Sequence, residues 1–143
     1  MQHYIKIKKI WQDEIEDFFS IQMVARSKVI WAQAHVYATS ETIDDLLNKL
    51  NGFISSNAGE ALWENGVTVG ETPVPLSLKF LRKDKLGHVL VEVYMELDDG
   101  RTLGGHNCCF YVETDLGLLE KFHKRLHLLK LPDLEIEITL NEL

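Results

Sequence analysis

Apolar and polar residues alternate along most of this chain, and a period of two is the mark of strands with one face buried. The opening "HYIKIKKIW" sets Tyr4, Lys6 and Lys8 against Ile5, Ile7 and, beyond Lys9, Trp11. "DFFSIQMVARS" puts Phe19, Ile21, Met23 and Ala25 on one side. "VIWAQAHVYA" separates Ile30, Ala32, Ala34, Val36 and Ala38 from Trp31, Gln33, His35 and Tyr37. The small residues of this third strand are expected to let a helix pack close to the sheet.

The period then changes to that of a helix. In "TSETIDDLLNKLNGF" the stripe Ile43, Leu46, Leu47, Leu50 and Phe53 or Ile54 lies on one side of a 3.6-residue repeat. Thr39 or Ser40 supplies a cap, Glu41, Asp44 and Asp45 suit the positive end, and Gly52 suits the exit. From Ser55 to Pro75 both periods fail, with Gly59, Gly66 and Gly70 among polar residues and Trp63 and Val67 isolated. A long excursion is expected there, with room for one short strand.

"PLSLKFLRKD" and "HVLVEVYMELDDG" read as a hairpin turning around Asp84 to Gly87, and "DDGRTLGG" as a second turn. Val89, Val91, Val93, Met95 and Leu97 make an apolar face whose reverse carries His88, Glu92, Tyr94 and Glu96. "HNCCFYVET" continues the meander with Cys108, Phe110 and Val112 inward and Asn107, Cys109, Tyr111 and Glu113 outward. Thr114 or Asp115 caps a second helix, striped by Leu116, Leu119, Phe122, Leu126 and Leu129. A last strand places Leu134, Ile136, Ile138 and Leu140 opposite Glu135, Glu137, Thr139 and Asn141. The expected fold is one α+β domain over residues 1–143: a mostly antiparallel meander of about six to seven strands with two amphipathic helices on one face.

Composition narrows the class. With 143 residues, 45% hydrophobic and 26% charged, the chain is an ordinary single globular domain and not a disordered one. Its 15 basic and 22 acidic side chains give a formal charge of −7, which disfavours nucleic acid and favours cationic partners. The opening residues do not form a signal peptide, no apolar run approaches the roughly 18 residues of a bilayer span, and two adjacent cysteines make no disulfide framework. A cytoplasmic address without membrane attachment is therefore expected.

Candidate chemistry is sparse. His123 and His127 have zinc-binding spacing on a helix, but Lys124 stands where a zinc protease needs glutamate, so solvated helix-flank residues are the better reading. Cys109 with His106 or His35 lacks the electropositive niche of a catalytic thiolate, and neighbouring cysteines on a strand point to opposite faces. Paired carboxylates among Glu92, Glu96 and Glu113 occur on any acidic sheet face, and the glycines of "GRTLGG" lead into a strand, not a phosphate-binding helix. No catalytic residue, cofactor or metal site is expected.

One surface is less ordinary. In a meander, Trp31, Gln33, His35, Tyr37, Glu92, Tyr94, Glu96, Asn107, Tyr111 and Glu113 share a face claimed by neither helix stripe. Aromatics among acids suit the binding of a basic protein, unless the Ser55 to Pro75 excursion covers that face. Of these, Trp31, His35, Tyr37, Glu92, Tyr94, Glu96, Tyr111 and Glu113 are the candidate partner-binding residues. Two other readings are a small enzyme or ligand-binding module, using a cleft between the sheet and the Ser55 to Pro75 excursion around His35 and His106, and a structural homodimer formed through an exposed strand edge.

The order of elements resembles a known family. A strand running into "SETIDDLLNKL", the segment "LVEVYMELDDGRTLGGHNCCFYVETDLGLLEKFHKRLHLL" and, most specifically, "FYVETDLGLLEKFHKRL" are similar to the WapI-type immunity proteins encoded beside polymorphic toxins. The resemblance spans Val24 to Leu129. It implies a cytoplasmic antitoxin that occludes the active site of a toxin domain without catalysis of its own. The step Phe110, Glu113, Thr114 and Asp115 fits the family's strand-to-helix geometry, and the closing "EIEITLNEL" is outside its pattern.

Overall fold

The computed structural model describes residues 3–65, 74–97 and 106–141. Among these, eight strands and two α-helices follow in the order β1 (Tyr4–Gln12), β2 (Phe19–Arg26), β3 (Trp31–Ala38), α1 (Ser40–Ser55), β4 (Glu60–Asn65), β5 (Leu76–Arg82), β6 (His88–Leu97), β7 (His106–Asp115), α2 (Leu116–Leu126) and β8 (Glu137–Leu140). A 3-10 turn, His127–Lys130, extends α2. The α+β class holds, but the single meander does not. There are two antiparallel four-stranded sheets, ordered β3-β2-β1-β8 and β4-β5-β6-β7.

The break falls at α1. A hairpin turn lets a strand return beside its predecessor, whereas sixteen helical residues carry the chain out of the first sheet before β4 begins. The first sheet is then completed from far along the chain, by β8 pairing with β1 through Ile5–Leu140 and Ile7–Ile138. Side-chain alternation assigns faces within a strand and is silent on which strands are neighbours.

Both sheets turn their apolar faces into one core. The first contributes Ile5, Ile7, Phe19, Ile21 and Met23, the second Leu78, Phe80, Val91, Val93 and Val112, and the helices add Leu46, Leu50, Leu119 and Phe122. The small face of β3, with Ala32, Ala34 and Ala38, lies near β6 of the opposite sheet. Its short side chains thus bring two sheets together, where a helix was the expected neighbour. The helices pack on one another, α1 against β4 and α2 against β8.

Local signals fix the helix ends. Thr39 caps α1, its hydroxyl accepting from the Thr42 N–H at 3.3 Å while Thr42 answers the Thr39 N–H at 3.2 Å. Asp115 caps α2 by accepting from the Leu118 N–H at 2.8 Å. Gly52 does not end α1, which runs on to Ser55. Its last carbonyls are met instead by Arg82 of β5, whose guanidinium donates to Phe53 O at 2.6 Å and Ser56 O at 2.5 Å and lies over the Phe53 ring.

Three further expectations change. The Ser55 to Pro75 excursion contains β4, and Trp63, isolated in the sequence pattern, is fully buried with its indole N–H donating to Thr42 O at 3.2 Å. Residues 66–73 of that excursion, including Gly66, Val67 and Gly70, and the turn "DDGRTLGG" lie outside the described residues. In β1 the register slips between Lys9 and Trp11, so Lys9 takes the inward position and Trp11 turns out. In the closing strand Leu134 is exposed and Glu135 has φ 68°, which leaves only Ile138 and Leu140 buried within β8.

Candidate partner-binding surface

The strand order divides the expected common face between two sheets. Trp31, Gln33, His35 and Tyr37 point outward from β3 in the first sheet. Glu92, Tyr94 and Glu96 of β6, with Asn107, Tyr111 and Glu113 of β7, point outward from the second. Because both inward faces meet one core, these two sets look away from each other. His35 and His106 belong to different sheets, and residues 66–73 of the excursion expected to wall their cleft lie outside the described residues.

The two outward faces differ in charge. That of the first sheet carries Lys6, Lys8 and Arg26 among Trp31, His35 and Tyr37, with Glu137 paired to Lys6 at 3.4 Å. That of the second carries Glu60, Glu64, Glu92, Glu96 and Glu113, opposed by Lys79 and Lys83. Lys79 reaches Glu60 at 3.3 Å and Lys83 reaches Glu113 at 3.5 Å. Glu92 accepts from the Tyr111 hydroxyl at 3.2 Å and from the Cys109 thiol at 3.5 Å.

These contacts set the titration of the face. Burial and the hydrogen bond to Glu96 push the Tyr94 hydroxyl up to about 12. The Glu92 carboxylate raises Tyr111, and burial with Glu92 raises the Cys109 thiol. A thiol held protonated beside a carboxylate is the reverse of an activated nucleophile. The environment of Cys109 therefore suits hydrogen bonding, not thiolate chemistry.

The histidine pair is used locally. His123 Nε2 faces Leu47 O at 3.1 Å and His127 Nδ1 faces Lys124 O at 2.8 Å, with α2 ending between them. No group of three or more possible metal ligands occurs among the described residues.

A groove of about 590 Å³ is a feature the sequence reading missed. Glu41, Asp44, Asp45 and Asn48 of α1 line one side, and Phe18, Tyr37 and Glu64 the others. The spacing i, i+3, i+4, i+7 of the four α1 residues was the available signal, read only as charge suited to a helix start. Tyr37 stacks on Phe18 at 4.9 Å, and Trp11 stands edge-on to both rings. Nothing in the alternation of β1 foretold this cluster, because the bulge after Lys9 creates it. Glu64 faces both the groove and the outward side of β4, so the acidic surface runs from the second sheet to α1. Comparison with known proteins finds no family model, curated protein or solved structure that matches the chain.

Proposed function

We propose that the protein is an inhibitory binding protein of the immunity type, whose acidic surface captures and covers a basic toxin domain. The observation that supports this is the excess of carboxylates on the outward face of the second sheet, Glu60, Glu64, Glu92, Glu96 and Glu113 against Lys79 and Lys83, with Glu64 also lining the groove beside Glu41, Asp44 and Asp45. Such a surface attracts a cationic partner at long range, and half-exposed rings among the acids supply the apolar contact that charge alone does not. Tyr111 is 48% exposed on the sheet and Tyr37 is 64% exposed at the groove. An aromatic wall beside carboxylates is also a fitting seat for an arginine or lysine side chain.

The test is a pull-down from the native organism's lysate at low and moderate salt, with wild-type bait beside Glu92→Lys/Glu96→Lys/Glu113→Lys. The expected result is one basic toxin fragment held by the wild type, released by salt and retained at least about tenfold less by the variant. The variant should still fold, as these side chains lie outside the core, while melting lower for the lost contacts of Tyr94, Tyr111 and Lys83. Equal retention by both baits would reject this face.

A further inference from the structure

We infer that β3 is an assembly edge, along which two copies of the chain pair as antiparallel strands about a two-fold axis at Ala34. The inference is independent of the acidic-surface reading. It begins with the four strands that end the two sheets among the described residues, which are β3, β8, β4 and β7. Three of them carry charge: Glu60 and Glu64 on β4, Glu113 and Asp115 on β7, and Glu137 on β8. Helix α1 also lies closely against β4, and α2 against β7 and β8, while α1 meets β3 more sparsely. Charged side chains and covering helices are the usual devices that keep sheet edges from pairing with other molecules.

Strand β3 lacks the sequence devices. Its eight residues, "WAQAHVYA", include no charged residue, no proline and no glycine, and it pairs with β2 throughout without a shift of register. The Tyr37 carbonyl accepts from the Asn65 side chain at 3.2 Å, so it points away from β2. With the period of a strand, the backbone groups of Trp31, Gln33 and His35 point to the same side, away from β2, where no other strand pairs with them among the described residues.

The side chains of β3 are nearly symmetric about Ala34. Antiparallel pairing with a second copy about that residue sets Trp31 opposite Tyr37, Gln33 opposite His35 and Ala32 opposite Val36, each twice. The outward pairs are thus aromatic with aromatic and amide with imidazole, the kinds of cross-strand neighbour that stabilise a ladder. The Gln33 and His35 positions fall at hydrogen-bonded sites, where each exchanges N–H and C=O with its opposite. The Tyr37 carbonyl is already occupied by Asn65, so the central Gln33–His35 pairs carry the ladder and the aromatic pairs flank it. No formal charges meet across the seam. The product is one eight-stranded sheet running through two molecules, with the acidic second sheet of each still open.

Sedimentation equilibrium of the full chain across the micromolar range tests this, with three variants. Gln33→Lys/His35→Lys opposes like charges across the axis. It is expected to raise the dimer dissociation constant at least about tenfold while thermal melting is unchanged. Gln33→Lys/His35→Glu opposes unlike charges and is expected to restore the dimer. His35→Pro removes an outward N–H, leaves the β2 ladder intact, and should also yield monomer. A wild type monomeric throughout this range would overturn the inference. So would a dimer indifferent to these changes.

Discussion

Lys9 is the residue most at odds with its surroundings: only 1% exposed, it sits at an inward position of β1. Its ammonium donates to Gln12 Oε1 at 2.9 Å and to the Leu131 carbonyl, and lies over the Phe19 ring. Burial pushes its pKa down, against the pull of Asp133 and then Asp17. Truncation removes a buried stem as well as a charge, so Lys9→Ala is expected to cost about 2–4 kcal/mol in urea unfolding. Lys9→Met keeps the stem and is expected to lose less. Tyr94 gives a second test, through pH. Its folded pKa of about 12 lies above the ordinary 10.0, so the unfolded chain releases the proton first. The stabilisation is complete below pH 10.0 and drains away as pH rises towards about 12. Tyr94→Phe should flatten that part of the stability profile, measured by denaturant unfolding at successive alkaline pH values. Neither environment was legible in the sequence. Alternation alone marks Lys9 only as a polar interruption, and the Tyr94 partner, Glu96, was visible merely as its neighbour on the strand face.

At the scale of elements the sequence was far more readable. The inward residues of β2, the alternation of β3 and the buried stripe of α1 all stand where the periods put them. Of the two caps offered for α2, Thr114 and Asp115, the structure uses Asp115. "HNCCFYVETD" is a strand and a helix entry, and Asp115 ends one and starts the other. The errors arise where one residue departs from a period, as at the β1 bulge, or where a strand is too short and too polar to show one, as at Trp63 in β4. The alanines of β3 were seen, but what they face is a property of two sheets together. Ala32→Leu is therefore expected to cost about 1–3 kcal/mol by forcing the sheets apart, read as a lowered urea midpoint with the slope retained. The same change on a face awaiting a helix would have met a neighbour free to slide.

At the scale of the molecule, strand order decides what the surface can do. The candidate residues were picked correctly as outward-facing, yet the strand order sends β3 one way and β6 and β7 the other. The sequence could not reveal this, because the pairing of β1 with β8 joins segments more than a hundred residues apart. The result is a molecule with one mixed basic and aromatic sheet face and one acidic one, within a net charge of −7. No helix among the described residues is long and apolar enough to cross a membrane.

The β1–β8 pairing also has a meaning in time. As the chain leaves the ribosome, Ile5 to Lys8 emerge just ahead of β2, which can cover one of their two sides within a short hairpin. The other side waits for Glu137 to Leu140, through the synthesis of nearly everything between. During that interval the nascent first sheet is three strands with its β1 edge bare, and contacts so distant in sequence form late and slowly. Only when β8 emerges can the first sheet close, and until then the growing polypeptide is most exposed to misassembly along β1.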